Sequence, residues 1–380
     1  MRAYFDVRGP GVLVDTFPLG VGGKPEVVAG APQTIAVPVM NTGEAVDTFD
    51  FSFTGLPAGW VAAPFSELLG PGVDKTADLD LEPRHDHPVG LQTLTVKGAS
   101  ATAPSVNSSC ALEVMVVHVS DLQILGMEVD GAPTDLLIGD TQTLTVRTRV
   151  TNDGPTWPTD ATLHGTASVS AGAAVAPATW GEAIGALAKD EIRETTETFE
   201  VTCQAPGAET ITFATEIKPA KSEDSDLTAV NNTALVAVVV ECVLPVAVNI
   251  KPGSPINPIN PGSHGVVPLA VLTTVAGDYG LPVAVDATGI DAESTRFGPE
   301  DLVWAEAGGA SEAHGKGHVG DSLELDEVTV DGDPDMVLHY KTQETGIPPG
   351  SSKACVKGKL SAGGSVFKFF GCDSVRTVPP

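Results

Sequence analysis

Basic residues are scarce in this chain of 380 residues, which contains 21 Lys and Arg against 49 Asp and Glu and has a formal net charge of −28. Nucleic-acid binding is disfavoured, because it needs clustered cations that neutralise phosphates. A polybasic membrane-surface mode is disfavoured for the same reason. A surface this acidic keeps a protein soluble and attracts cations.

Long apolar runs are also missing from the sequence. No stretch of roughly 18 or more apolar residues occurs, so we expect no transmembrane helix and no membrane insertion. The N-terminal segment 1–17 lacks the continuous apolar core of a signal peptide. If the protein is exported, we expect that its signal has been removed or that the chain is a segment of a longer polypeptide.

The common catalytic motifs HExxH, GxSxG, GxGxxG and the P-loop do not occur, and none of the five cysteines falls in a CxxC pair. The sequence therefore predicts a protein that is not an enzyme. Aromatic residues make up only 5% of the chain. Sugar-binding platforms need exposed rings, so this composition weighs against the alternative function, a carbohydrate-binding accessory region of a secreted hydrolase.

What the chain does contain favours β-structure. Its 41 Gly and 30 Pro interrupt long helices, and Val and Thr are abundant. Residues 47–53 alternate with a period of two, which places Phe49, Phe51 and Phe53 on one face. The sequence predicts an all-β fold of three consecutive antiparallel β-sandwich modules, of the immunoglobulin-like (Ig-like) type.

The module boundaries follow from an internal repeat. The run QTIAVPV at 33–39 leads into the turn NTG at 41–43, and QTLTVRTRV at 142–150 leads into NDG at 152–154. This repeat of about 110 residues indicates duplicated sandwiches. We expect modules at 1–119, 120–244 and 245–380, each folding separately.

Other segments are assigned by local pattern. The valine-rich run 234–240 predicts a buried strand. In the third module we expect further strands at 302–304, 336–340, 353–360 and 366–370. Only 183–193 and 300–307 have a weakly helical pattern.

Three segments resemble known modules of exported proteins. Residues 27–100 resemble the bacterial Ig-like repeats of secreted glycosidases and surface proteins, through NTG at 41–43, GLPAGW at 55–60 and PVGLQTLTV at 88–96. Residues 121–242 resemble cell-adhesion-related bacterial Ig-like repeats, through VTNDGP at 150–155 and VNNT at 230–233. Residues 246–380 resemble a C-terminal module of exported bacterial and archaeal proteins, through NIKPGS at 249–254, GVVPLAVL at 265–272 and GCDS at 371–374. The resemblance implies location and fold, and no activity.

The main candidate site is a calcium loop. Oxygen-bearing side chains recur at every second position before and around Gly332, and calcium favours several converging oxygen ligands. The predicted ligands are Glu327, Thr329, Asp331, Asp333 and Asp335. A plain hairpin with an Asp331–Gly332 turn is the alternative.

Histidines offer a second candidate. His314 and His318 have the spacing of paired ligands on a helix, but the glycines around them make a helix unfavourable. A loop metal site remains open, as does a metal-dependent hydrolase that uses both histidines with Asp331. For His85 and His87 we expect a solvated loop.

The cysteines predict two disulfides. Cys355 and Cys372 flank two expected strands of one hairpin, and closing a loop of that size stabilises a fold by about 3 kcal/mol. Cys203 and Cys242 are expected to pair within the second module. For Cys110 the sequence leaves open a buried thiol or an intermolecular link.

The composition, repeats and resemblances together indicate an extracellular or cell-surface protein of structural or adhesion type, or the accessory segment of a larger one. Its expected partners are other surface or matrix proteins, copies of itself, or a polysaccharide. Packing, in preference to a sugar-stacking platform, is the expected role of Trp60, Trp157, Trp180 and Trp304.

Overall fold

A computed structural model describes residues 12–14 and 24–378 of the chain. The segment 1–17, on which the signal-peptide interpretation rests, lies outside these residues except for Val12–Val14. Within the described part, no helix has the length and apolarity needed to cross a membrane. Strands dominate this part of the chain and confirm the predicted all-β fold.

The first module is a sandwich of two sheets, ordered β1-β3-β7-β5 and β2-β9-β8-β4-β6. Alternation along β3 turns Ile35, Val37 and Val39 inward, and Phe49 and Phe51 of β4 are fully buried beside them. The strands are β1 (Val12–Val14), β2 (Glu26–Val28), β3 (Gln33–Asn41), β4 (Asp47–Thr54), β5 (Val61–Ala62), β6 (Phe65–Leu69), β7 (Asp74–Glu82), β8 (Gly90–Ser100) and β9 (Asn107–Val117).

The second module contains the strands β10 to β20, and a short 3-10 helix (Ala229–Asn231) precedes β20. One of its sheets is ordered β11-β13-β17-β15. Its strands are β10 (Val119–Ser120), β11 (Leu122–Asp130), β12 (Asp135–Leu137), β13 (Thr141–Asn152), β14 (Thr159–Val169), β15 (Ala173–Ala176), β16 (Thr179–Leu187), β17 (Arg193–Cys203), β18 (Gly207–Pro219), β19 (Ser225–Asp226) and β20 (Thr233–Pro245).

The third module packs the sheet β21-β23-β27-β26 against the strands β29-β28-β24-β25. It includes the helix α1 (Glu300–Trp304) and the 3-10 helices Asp278–Gly280, Ala287–Gly289 and Thr342–Glu344. Its strands are β21 (Val248–Ile250), β22 (Pro258–Ile259), β23 (Val266–Val271), β24 (Ile290–Gly298), β25 (Ala310–Ser311), β26 (His318–Gly320), β27 (Asp335–Lys341), β28 (Lys353–Ala362), β29 (Ser365–Ser374) and β30 (Arg376–Thr377).

The first two modules repeat one topology strand by strand. The order β1-β3-β7-β5 matches β11-β13-β17-β15, and β2-β9-β8-β4-β6 matches β12-β20-β18-β14-β16. In each module a fully buried asparagine ends the long strand and accepts the N–H of the glycine two residues later. Its amide donates to the opposite sheet, from Asn41 to Leu69 O at 2.9 Å and from Asn152 to Leu187 O at 3.4 Å.

The second and third modules share a sheet and a core. Strand β20 continues past the second sandwich, and Leu244 pairs in parallel with Phe369 of β29. The order β16-β14-β18-β20-β29-β28-β24-β25 therefore runs through both modules. One buried apolar cluster includes Phe213 of the second module and Leu269 of the third.

A buried ionic network crosses the same joint. Lys357 of β28 is 4% exposed, and its Nζ donates to Asp135 of β12, to Trp304 O at 2.6 Å and to Glu306 at 3.1 Å. Lys368 of β29 contacts Asp135 at 3.1 Å and Glu306 at 2.7 Å. Two ammonium groups thus meet two carboxylates, and the hydrogen bond from Lys368 lowers the pKa of Glu306 against the opposing effect of burial.

The joint between the first and second modules is polar. His85 stacks on Trp157 with ring centroids 3.4 Å apart, and its Nδ1 lies 2.6 Å from Trp157 O. The Thr156 hydroxyl donates to Ala29 O at 3.0 Å, and His118 Nδ1 lies 3.1 Å from Asp224 Oδ1 of the second module. The expected solvated loop at His85 is therefore wrong, because this side chain is half-buried between modules.

Three local expectations also differ from the structure. Residues 302–304 belong to α1 and not to a strand, because Pro299 precedes the helix and the acidic Glu300 and Asp301 stand in its first turn. Most of 183–193 is strand and loop instead of helix. The run 234–240 is a strand, but its alternation leaves Leu235 69% and Val239 60% exposed, so it is not buried on both faces.

Candidate functional site

The acidic segment 321–335 joins β26 to β27 and carries all five predicted calcium ligands. Asp335 is 1% exposed, and its oxygens accept the backbone N–H groups of Thr273 at 2.8 Å and Ser322 at 2.9 Å. Burial raises the pKa of this carboxyl in spite of the two hydrogen bonds. Asp335 therefore anchors the base of the loop.

Asp331 and Asp333 lie at the exposed tip of the loop. Asp331 Oδ1 accepts the N–H of Asp333 at 2.9 Å, and Gly332 between them has a φ of 95°. Burial is the main cause that raises the pKa of both Glu324 and Asp335, and the negative charge of Asp331 raises it further. The negative groups of this segment thus repel one another, and a bound divalent cation would relieve that repulsion.

The side chains of Glu327 and Thr329 form hydrogen bonds with residues other than the predicted calcium ligands. Glu327 Oε2 accepts the N–H of Gly253, and Thr329 donates its hydroxyl to Asp326 at 2.7 Å. Within the described residues, the groups of three or more His, Cys, Asp or Glu side chains with ligand atoms less than 4.8 Å apart do not include this loop. Calcium binding therefore stays a prediction, and it requires these side chains to turn inward.

The sequence motif NIKPGS at 249–254 acts as a support for the loop. Asn249 is fully buried, and its amide donates to Leu323 O at 2.9 Å and Glu324 O at 3.1 Å. The adjacent Ile250 N–H donates to Asp373 of the motif GCDS at 3.0 Å. The residues that carry the resemblance of the third module thus form a hydrogen-bonded framework.

His314 and His318 lie between β25 and the start of β26 and approach His339 of β27. Glu312 belongs to the same cluster, whereas Asp331 of the hydrolase hypothesis does not. Burial lowers the pKa of His339, and the neighbouring histidines lower it further. Sequence reasoning missed Glu312, although it lies only two residues before His314. It missed His339 because only sheet pairing brings this residue to the hairpin.

The cysteines pair as the sequence predicts, Cys203 with Cys242 and Cys355 with Cys372. The first disulfide joins the two sheets of the second module through β17 and β20. The second links directly opposed residues of β28 and β29, with Cα atoms 4.0 Å apart. Cys110 is half-buried and packs against the core of the first module.

Each tryptophan packs against another ring within 5.0 Å between centroids. The four rings are distributed over three modules and do not form one platform. The pairs are Trp60 with His87, Trp157 with His85, Trp180 with Phe199, and Trp304 with Phe370.

No family model matches the sequence, and no curated protein matches it. Similar solved structures include the extracellular cadherin domains 3–6 of protocadherin gamma B2, with a TM-score of 0.29, 8% identity, and coverage of 98% of this chain and 73% of that one. The D00-D0 domain of intimin has a TM-score of 0.19 and 9% identity, and the match covers 61% of this chain and 96% of that one.

A third similar structure is the CARDB domain of PF1109 from Pyrococcus furiosus, with a TM-score of 0.21, 15% identity, and coverage of 32% of this chain and 96% of that one. Likenesses this distant assign no function. The fold assignment rests on the sheets of the chain itself.

Proposed function

We propose that this chain is a non-catalytic, extracellular structural segment of the adhesion type, whose second and third modules act as a stiff spacer between partner-binding surfaces. Its modules would be a glycosidase-associated type of Ig-like repeat at 1–119, a cell-adhesion-related repeat at 120–244 and the C-terminal module of exported proteins at 245–380. The partners would be surface or matrix proteins or other copies of this chain.

The observation that carries this proposal is the construction of the joint between the second and third modules. A spacer transmits orientation only if its modules do not swivel, and domains with small polar interfaces usually move relative to one another. Here a continuous sheet, a common core and the buried Lys357–Asp135 pair connect the last two modules. Such construction favours a structural role.

Two disulfides support an extracytoplasmic location, because disulfides persist in oxidising compartments. The formal charge of −28 fits a protein that is kept soluble and apart from its neighbours. Weak calcium binding at 327–335 is part of the proposal, since the acidic side chains there repel one another. Extracellular modules bind calcium in the range of about 10⁻⁴–10⁻³ M.

The proposal is tested by coupling the full chain to beads and measuring retention on three surfaces: the same chain, extracellular matrix protein and insoluble polysaccharide. We expect retention on a protein surface. Retention on polysaccharide alone would contradict the proposal and support the carbohydrate-binding alternative. Loss of protein retention after reduction of the disulfides would link the binding to the folded modules.

A further inference from the structure

The chain around the hairpin 312–318 brings four potential metal ligands together. Glu312 pairs with Tyr340 in an isolated bridge, and Gly315 has a φ of 67° in the turn that follows. The chain then enters β26, where His318 pairs with Val337 of β27. His339 is two residues further along β27 and therefore lies on the same face of that strand as Val337.

The distances within this cluster are short. One ligand atom each from Glu312, His314 and His339 lies within 4.8 Å of the others. The ring centroid of His339 is 5.7 Å from that of His314 and 5.7 Å from that of His318. Ligand atoms at about 2.0–2.1 Å from one zinc ion lie a little more than 3 Å apart, so small side-chain rotations would bring Glu312, His314 and His339 onto one ion. His318 would join them by a change of rotamer.

One ring nitrogen of His339 is unsatisfied. Its Nδ1 is buried and has no hydrogen-bond partner, whereas buried polar atoms are usually paired. The neighbouring His314 and His318 are exposed, so the cluster opens to solvent and can be reached by an ion. An ion bound through Nδ1 would give the buried nitrogen its partner.

Glu312 holds the backbone of the hairpin in position. It is 7% exposed, and its carboxylate accepts the N–H groups of His314 at 2.6 Å, Lys316 at 3.2 Å and His339 at 3.2 Å. A carboxylate offers about four acceptor sites, so one remains for a metal ion. The same group thus orders two of the histidines and adds a ligand.

We propose that Glu312, His314, His318 and His339 form a binding site for a divalent transition metal ion of the zinc class. Imidazole ligands suit zinc and its neighbours in the first row, whereas calcium favours oxygen ligands. This site is distinct from the acidic loop at 327–335, and it does not depend on the proposed structural function.

The test is calorimetric titration of the full chain, free of any histidine tag and pretreated with a chelator, with Zn²⁺. We expect one equivalent to bind, with no competition from a large excess of Mg²⁺. The exposed variants His314→Ala and His318→Ala should each lower the affinity at least about tenfold, and His339→Gln should lower it further. His264→Ala, which removes an exposed histidine elsewhere in the module, is the matched control and should leave the affinity unchanged.

Co²⁺ gives a second readout, because its visible d–d absorption reports the ligand set. We expect bands of a low-coordinate nitrogen and oxygen site in the wild-type chain, and their loss in His314→Ala and His318→Ala. These exposed substitutions leave the core intact, so a failure to fold does not confuse the result. The proposal is overturned if no equivalent of Zn²⁺ binds, or if Zn²⁺ binds equally well to the histidine variants.

Discussion

The two joints of this protein are built in different ways. Between the first and second modules, the contacts are a stacked His85–Trp157 pair and a few hydrogen bonds, and the cores on either side are separate. Between the second and third modules, one sheet and one apolar cluster pass through the boundary near residue 245. The sheet is continuous across the second joint and interrupted at the first.

The difference between the two joints determines which modules unfold together. Burial of about 25 cal/mol per Å² makes a shared core the dominant coupling between modules, whereas a few hydrogen bonds of about 0.5–1.5 kcal/mol each contribute less. We therefore expect the second and third modules to unfold together, and the first to unfold independently. The boundaries at 119/120 and 244/245 remain proposals, and unfolding of the full chain can test whether each one separates independent units.

The largest expected effect comes from the ionic network at the second joint. Asp135→Ala leaves the buried Lys357 without its nearest carboxylate, and such a loss costs about 3–5 kcal/mol. Urea unfolding should show this loss for the second and third modules together. The matched control is Glu300→Ala, which removes an exposed partner of Lys353 and should change stability by less than about 1 kcal/mol. Equal effects of the two variants would refute the role of the network.

The disulfide of the second module has no counterpart in the first. Pro83 of the first module corresponds to Cys203, because Gly30 N–H donates to Pro83 O at 3.0 Å as Gly139 N–H donates to Cys203 O at 2.9 Å. Val116 corresponds to Cys242, because Val116 lies opposite Gly90 as Cys242 lies opposite Gly207. The disulfide is thus an addition to a framework that the first module maintains without it.

Replacement of both Cys203 and Cys242 by Ala should lower the free energy of unfolding by about 4 kcal/mol, because the bond closes a loop with a sequence separation of 39. The matched double replacement at Cys355 and Cys372, with a separation of 17, should cost about 3 kcal/mol. Denaturant unfolding measures both. A replacement at 203 and 242 that costs nothing would contradict this account of the second module.

The repeated asparagines allow a direct comparison of the first two modules. Asn41→Ala and Asn152→Ala each remove a buried amide that donates to the opposite sheet, and each should lower the free energy of unfolding by about 1–3 kcal/mol. The two losses should be similar, but only Asn152→Ala should lower the stability of the third module. Denaturant unfolding followed by hydrogen exchange separates these effects. If Asn41→Ala also destabilised the third module, the first joint would be as tightly coupled as the second.

Calcium should have the smallest effect on stability. A ligand at ten times its Kd stabilises the folded form by about 1.4 kcal/mol. Because the modules are coupled, calcium bound at 327–335 should raise the melting temperature of the second module along with the third, and leave the first unchanged. Magnesium should act more weakly, and Asp331→Ala should abolish the shift. An unchanged melting temperature at saturating calcium would leave the loop as a hairpin turn.

Local patterns predicted the strands and the repeat well. The alternation of Phe49, Phe51 and Phe53 and the asparagine turns are properties of short segments, and the structure has them as expected. The shared sheet at Leu244 could not be predicted, because it depends on pairing with a strand more than a hundred residues later. The approach of Glu312 to His339 also depends on strand pairing, since Glu312 forms an isolated bridge with Tyr340, the neighbour of His339.

We expect the last two modules to form one cooperative unit and the first to form another. Hydrogen exchange of the full chain across a urea gradient, read by mass spectrometry, tests this expectation most directly. We expect peptides from 122–378 to share one opening free energy and one urea dependence, and peptides from 26–117 to follow a different one. Separate unfolding of peptides from 122–242 and 248–378 would contradict it.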